Sequence, residues 1–476
     1  ALAMNSPRYQ QLADKLAQQI RAGVYKSDEK LESVRGFAKQ QRISVSTVLM
    51  SYGLLEDWGL VEVRPKSGYY VRALANVSVD LPKLRQATAA PKPVSSSQLV
   101  MDVMRDSSDP QFLSLGTAVP ASDFPIVSEL KKVFSRLVRT QPFLGIGYEM
   151  KGNAQLRRQL AKRAQDSGVT ISPDEVVVTA GCQGAISLSL RVTCKPGDVV
   201  VVESPSYYGL LQLIESLGLK VIEIPSDPQT GMSIDALQLA LEQWPIKAIL
   251  TVSSFSNPLG ALIPDENKKR LVDLVNQYQI PLIEDDIYGD LGYGIQRPRS
   301  IKSFDTEGRV LLCSSVSKVL DPQLGVGWVM PGRYLEAVEY ERFLTSTSQF
   351  HLSQMALADI LSRALYDRHL RLVRETYRQR RDRLIDMIGL YFPEGTRMSY
   401  PLGGFVAWIQ LPQGTNATEL YLKAKNAGVI ISPGTVFSSN PKKYDNSIRL
   451  TYAEEWTKER EFAVQKVGSL AHALMS

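Results

Sequence analysis

The sequence predicts a multidomain chain: a small α+β head, a large α/β unit with a mostly parallel sheet, and a smaller α+β segment at the end. Three observations predict it. Length is the first, since 476 residues are about three times a typical domain. Helical and hairpin patterns also crowd into the first 75 residues, ahead of a stretch rich in Ala, Ser and Pro. Finally, from about residue 110 short apolar runs alternate with amphipathic ones, the pattern of a parallel sheet covered by helices on both faces. Composition agrees: 44% hydrophobic and 22% charged residues exclude a disordered or collagen-like chain.

In the head, Tyr9, Leu12, Leu16 and Ile20 recur at helical spacing, and Gly23 closes that helix. Ser33 is placed to cap a second helix over Val34–Gln41, with Phe37 and Ala38 facing inward. After the polar turn Arg42-Ile43-Ser44, Ser44 can cap a third helix that carries Val48, Tyr52 and Leu55 on one face and stops at Gly59. Residues 60–63 and 69–71 flank the turn Pro65-Lys66-Ser67-Gly68 and read as a β-hairpin. Three helices and a hairpin over 6–73 is the layout of a winged helix-turn-helix. Residues 1–75 hold 11 Lys/Arg against 7 Asp/Glu, so +4 of the net +6 lies here. A basic head on a nearly neutral body places any polyanion at the head, although charge alone fits a solvated surface equally well.

Residues 74–108, dominated by Ala, Ser and Pro, read as an interdomain linker. Strands follow at 176–179, 199–203, 221–224, 248–252, 281–284 and 310–313, separated by helical stretches such as 207–217, 235–243 and 265–278. From about 360 the chain turns helical and basic over 363–383, then ends in an α+β segment with strands near 404–411 and 448–452. No apolar run approaches the roughly 18 residues of a membrane span. Cys182, Cys194, Cys313 and His351, His369, His472 are scattered without ligand spacing. No disulfide framework and no metal site are therefore expected, and a reducing cytoplasm fits.

Five strand ends hold the chemistry. Ser315-Val316-Ser317-Lys318 follows a buried strand, which puts the lysine at the mouth of an α/β crevice. There it can form a Schiff base with an aldehyde cofactor while Ser315 and Ser317 hold a phosphate. Alone, such a lysine is most often a surface cation. Strand 281–284 runs into Asp285-Asp286-Ile287-Tyr288. An aspartate there can pair with a protonated pyridine nitrogen, and Tyr288 can donate to a ring oxygen. Strand 248–252 leads toward Asn257, which can bond the same oxygen, and Pro258. Strand 176–179 leads into Gly181, Cys182 and Gln183 at a helix start, where backbone N–H groups meet a phosphate. Strand 199–203 leads to Tyr207, an aromatic face for a ring. Each has a bland reading as turn, packing or core residue; five in this order do not.

The order Gly-x-Gln, Pro-x-Tyr, Asn-Pro, Asp-x-x-Tyr and Ser-x-Ser-Lys resembles the fold-type I, aspartate-aminotransferase-like enzymes that use pyridoxal 5'-phosphate (PLP), over roughly 110–476. With the head in front, the chain looks like the MocR subfamily of GntR regulators; residues 31–35, Ser44, Thr47, Val48 and the wing 67–71 match. The resemblance implies a head at 6–73, a linker at 74–108 and a PLP domain at 109–476. Its large domain would span about 125–350, and its small domain about 109–124 plus 351–476. It also implies that Lys318 holds PLP, with Asp285 and Tyr288 as its catalytic companions. Gly181, Cys182, Gln183, Ser315 and Ser317 would line the phosphate end, Tyr207 would stack on the ring, and Asn257 and Tyr288 would bond the phenolate oxygen. Tyr148 resembles the tyrosine that reaches the partner subunit's phosphate, which implies a homodimer with shared sites. Arg449 matches the arginine that grips an α-carboxylate by a two-pronged hydrogen bond, and Gly116 belongs to the segment that covers the substrate.

Two departures stand out. The arginine usual seven residues after the lysine is Gly325 here. Losing such a charge-assisted contact costs about 1.5–3 kcal/mol, roughly 10- to 150-fold in affinity. In the head, the arginine that often follows the recognition-helix serine is Val45, and an acid, Glu32, replaces a proline. DNA contacts then fall to Ser44, Ser46, Thr47 and apolar touches at base edges, with Arg35, Arg42, Arg64 and Lys66 for phosphates and the minor groove. The function implied is a regulator that binds double-stranded operator DNA and senses an amino compound through a Schiff base at Lys318. An active aminotransferase with an accessory head is the alternative. A vestigial PLP fold is a third reading, favoured only by Gly325.

Overall fold

The computed structural model describes residues 7–72, 79–84, 90–94, 98–141, 147–349, 351–440 and 442–475. The head comprises α1 (Arg8–Arg21), α2 (Val34–Gln41), α3 (Val45–Asp57) and the antiparallel pair β1 (Val61–Arg64) and β2 (Gly68–Val71). Both serine caps form: Ser33 Oγ accepts from the Gly36 N–H at 3.1 Å, and Ser44 Oγ from the Thr47 N–H at 3.1 Å. Each such cap is worth about 1 kcal/mol. Between the two helices Arg42 takes a left-handed conformation, φ 54°, which makes the turn sharp. Leu16, Ile20, Phe37, Val48, Tyr52, Leu55, Leu60 and Val71 close a core that belongs to the head alone.

The body is built on one large sheet. Its strands lie in the order Lys92–Pro93, Lys220–Asp227, Val199–Ser204, Ile246–Val252, Leu282–Asp285, Val310–Ser315, Val326–Met330 and Val177–Ala180. The run from Lys220–Asp227 to Val310–Ser315 is parallel. Along Val199–Ser204 the side chains divide between two cores, Val200 and Val202 on one face and Val199 and Val201 on the other. A strand covered on both faces must be apolar throughout, which is why this run reads as uninterrupted valine.

Sequence reasoning missed Val326–Met330, which pairs antiparallel with both neighbours. Two glycines obscure it. Gly325 is left-handed at φ 63°, and a Cβ on Gly327 would collide with the backbone of Gly181. That close approach seats the helix Gly181–Thr193 against the sheet.

The stretch 74–108 is not structureless throughout: Lys92–Pro93 adds to the sheet edge and Gln98–Ser107 is a helix. Asp106 on that helix accepts from Tyr421 and pairs with Lys425 at 2.7 Å, so the linker's end is fastened to the body. A second antiparallel sheet joins Arg397–Met398, Val406–Gln410, Ser447–Thr451 and Ser432–Pro433, and Leu113–Ser114 pairs with Val429–Ile430. The helix His351–Leu361, expected with the small domain, packs against Ile126–Thr140 and Ala154–Ala164 as well as against Ala364–Tyr391. Its apolar residues on several faces suit that buried place better than the rim.

The head rests on the long helix Ala364–Tyr391. Arg21 bridges Asp382 and Asp386 at 3.3 and 3.2 Å, Arg378 pairs with Asp14 at 3.0 Å, and Arg383 donates to the Trp58 carbonyl at 3.0 Å.

Candidate functional site

The ends of four parallel strands and the start of one helix enclose a cavity of about 220 Å³. Gly181, Cys182, Gln183, Tyr207, Asn257, Asp285, Tyr288, Ser317 and Lys318 all line it, so nine of the residues expected at the cofactor come together from segments far apart in sequence. Ser315 stands behind Ser317, their hydroxyls 2.7 Å apart, and also accepts from the Ser317 N–H at 3.2 Å. Gly181 opens the helix Gly181–Thr193 at φ 69°, with open space where a Cβ would be. The helix therefore presents bare N–H groups to the cavity, a favourable place for an anion.

The titrating groups are tuned by burial. Lys318 Nζ donates to the Ala118 carbonyl at 2.6 Å. Desolvation, with the nearby Arg449 charge, brings its ammonium down to about 8 against the pull of Asp285. Desolvation raises the Asp285 carboxyl to about 6, although it accepts from the Ile287 N–H at 3.0 Å and from Cys182 Sγ at 3.5 Å. Both shifts follow one rule: a buried group without a close ion-pair partner drifts toward its neutral form. Tyr288 is buried, packs edge-on against Phe405, and its hydroxyl has no hydrogen-bond partner among the described residues.

Arg449 is fully buried on the strand Ser447–Thr451. It donates to Asn257 Oδ1 at 3.0 Å and to the Gly116 carbonyl at 2.5 Å, while its Nε has no partner. Its guanidinium lies 5.1 Å from the Phe437 ring centre and 5.8 Å from that of Tyr208. A Cβ on Gly116 would strike Ser432, which keeps this segment close to the arginine. Tyr148 is 71% exposed and does not line the cavity of its own chain. Gly325 stands in open space, and of the residues lining the cavity Lys318 alone is a Lys or Arg.

Sequence reasoning missed several supporting groups. Ser206, Leu210, Ile186, Val252 and Ile287 complete the wall. The Ala118 carbonyl and Ser432 left no signal, because a backbone acceptor or a strand serine looks ordinary in sequence. Tyr208, beside Tyr207, was the one legible hint.

In the head, Arg35, Ser46 and Lys66 are exposed and Thr47 is half-buried. Ser44 Oγ is occupied by its cap and by the hydroxyls of Ser46 and Thr47, at 2.9 and 2.7 Å. Arg64 donates to Glu62 at 2.8 Å and Asp28 at 2.7 Å, over the Tyr70 ring, so acidic neighbours share its charge.

Residues 113–467 match the family of class I and II aminotransferases, and residues 8–71 match the gntR family of bacterial regulatory proteins. The chain is 37% identical over 469 residues to the uncharacterized HTH-type transcriptional regulator YjiR of Escherichia coli, covering 98% of this chain and 99% of that protein. Among solved structures it is similar to a multiple-substrate aminotransferase from Thermococcus profundus, with TM-score 0.74, 28% identity, and 80% and 96% of the two chains covered. It is also similar to the α-aminoadipate aminotransferase LysN of Thermus thermophilus in complex with N-(5'-phosphopyridoxyl)-L-leucine, with TM-score 0.73, 26% identity, and 80% and 96% covered.

Proposed function

Because this chain belongs to the class I and II aminotransferase family and carries a GntR-family head, the MocR arrangement, we propose that it is a DNA-binding transcription regulator that reads an amino compound in its PLP cavity. The observation that carries this reading is a fully furnished cavity on a chain whose head has a core of its own. The cavity suits PLP: an orphaned buried hydroxyl on Tyr288, open space over Gly181 and a buried carboxyl at Asp285 meet a phenolate, a phosphate and a pyridinium in turn.

When bound, PLP supplies an aldehyde for amine capture and a ring that accepts electrons. Lys318 presents an amine that is partly neutral near pH 7, as nucleophilic capture needs. Asp285 holds a proton on the ring nitrogen; Asn257 and Tyr288 donate to the ring oxygen; Tyr207 supports the ring face. Ser315, Ser317, Gln183 and the N–H groups of Gly181 and Cys182 hold the phosphate with neutral donors only. Arg449 takes the carboxylate of the amino compound. Tyr148, exposed and away from its own cavity, completes the site of a second copy, so the working unit is a homodimer that presents two heads to paired half-sites.

Signal transfer has a physical route. Lys318 and Arg449 both hold the segment 116–118 by its carbonyls. Thr117 Oγ1 in turn donates to the Ser107 carbonyl at 3.1 Å, at the end of the helix Gln98–Ser107 that leads back to the head. PLP would draw Lys318 from the Ala118 carbonyl, and the carboxylate of the amino compound would draw Arg449 from the Gly116 carbonyl; the two restraints respond to different ligands, which lets the amino compound bias a two-state element.

The test is visible absorbance of the protein with PLP, before and after borohydride, with mass mapping of the modified residue. A reduced adduct on Lys318, and a change in DNA affinity on adding an amino acid that shifts the spectrum, support the regulator. No adduct after PLP addition sinks the sensing site. A second reading, a working aminotransferase, is favoured by the joint presence of Lys318, Asp285 and Arg449; steady-state turnover with a panel of amino and keto acids decides it.

A further inference from the structure

The exposed side of α3 is apolar along the stretch that a regulator of this layout lays against base edges. Val45, Leu49 and Met50 are 49, 52 and 51% exposed. Leu49, Met50 and Ser46 turn away from the buried Val48, Tyr52 and Leu55, and Val45 stands exposed at the start of the helix. The hydroxyls at the helix start are engaged with one another around Ser44. No charged residue occurs on α3 before Glu56. Exposed cations stand on the neighbouring elements of the head: Arg35 and Lys39 on α2, Arg42 in the turn and Lys66 at the hairpin tip. An uncharged helix strip on a head that carries its cations on other elements complements a DNA groove, whose rim is phosphate and whose floor is base edges. On the floor of the major groove the characteristic apolar group is the 5-methyl of thymine.

We propose that α3 reads thymine methyl groups in the major groove through Val45, Leu49 and Met50, so that each half-site is specified by the positions of its thymines. The proposal rests on the DNA-binding reading above. Guanine is ordinarily taken by an Arg or Lys on its O6 and N7, and α3 has neither. Each methyl group buried against these side chains is worth about 4-fold in affinity.

The full-length protein, with and without PLP, is used to select duplexes from a random-sequence pool. Thymines recurring at fixed positions are expected. Replacing one of them with deoxyuridine removes the methyl and keeps every hydrogen-bonding group, and weakens binding about 4-fold. Leu49→Ala with Met50→Ala, both on the surface, narrows the difference between the thymine and deoxyuridine duplexes while the salt dependence stays. Val45→Arg shifts the selected positions toward guanine. Equal affinity of the unaltered protein for fully deoxyuridine-substituted duplexes overturns the proposal and leaves a DNA-binding head. Failure to retain any duplex at low salt overturns the DNA-binding reading, and this proposal with it.

Discussion

The head and the second half of the long helix Ala364–Tyr391 are both rich in basic residues, yet they hold most of these cations in different states. Arg35, Lys39, Arg42 and Lys66 stand exposed, with no carboxylate partner among the described residues. On the helix, Arg374 donates to the Asp290 carbonyl, Arg378 pairs with Glu375, Asp14 and Asp382, Arg381 with Asp382, and Arg383 with Glu461. A count of basic residues would choose the helix as the nucleic-acid surface; the ion pairs choose the head. Lys318 obeys the same physics from within the cavity. Being buried with no carboxylate at ion-pair distance, it gives up charge where the helix arginines keep theirs.

The largest expected effect tests that last point. Lys318→Ala abolishes the borohydride-fixed PLP adduct, read by mass mapping; an adduct elsewhere would remove Lys318 from the site. Next, Arg381→Ala removes hydrogen bonds to Asp382 and to the Pro401 carbonyl while Arg21 and Arg378 still face Asp382, and lowers stability by about 2 kcal/mol in denaturant titration. Arg35→Ala leaves the denaturant midpoint in place, and an equal loss from the two variants would break the contrast between helix and head.

The pH dependence follows from the same burial. With its ammonium at about 8, Lys318 is roughly one-tenth neutral at pH 7 and nine-tenths neutral at pH 9, so PLP capture accelerates nearly tenfold across that range. The sign for stability is also set. Its folded value lies below its unfolded one, so the unfolded chain binds the extra proton above pH 8, and the empty protein gains stability as pH rises from there toward 10. A rate independent of pH would contradict the lowered ammonium.

Gly325→Arg supplies the missing phosphate contact. The gain of about 1.5–3 kcal/mol leaves PLP roughly 10- to 150-fold tighter in a spectrophotometric titration, while the left-handed non-glycine costs about 1 kcal/mol of fold stability. No change would mean that another group already neutralises the phosphate. The smallest effects belong to the head surface: Arg35→Ala and Lys66→Ala each reduce the slope of log affinity against log salt by about 0.9.

Local signals made much of the chain legible. The ends of α2 and the cap of α3 were readable because Ser33 and Ser44 satisfy N–H groups within three residues of themselves. The parallel strands were readable because full burial demands continuous apolar residues. Val326–Met330 was hidden, since its Gly327 answers to a backbone approach from Gly181, more than 140 residues away in sequence. The pairing of Arg64 with Asp28 was not legible, because the two meet only across the folded head.

The sequence by itself determined the two-part architecture, the order of the strand-end groups and the residues that could meet a cofactor. Those follow from short-range caps, periodicity and residue chemistry. Only the tertiary structure decided which groups are charged, paired or free: that Lys318 is held to Ala118, that Tyr288 keeps an unpartnered hydroxyl, that Arg449 and Lys318 restrain one segment, and that α3 leaves apolar side chains in the open. Electrostatics and desolvation act through space and depend on what the fold brings within a few ångströms, a distance on which order along the chain is silent.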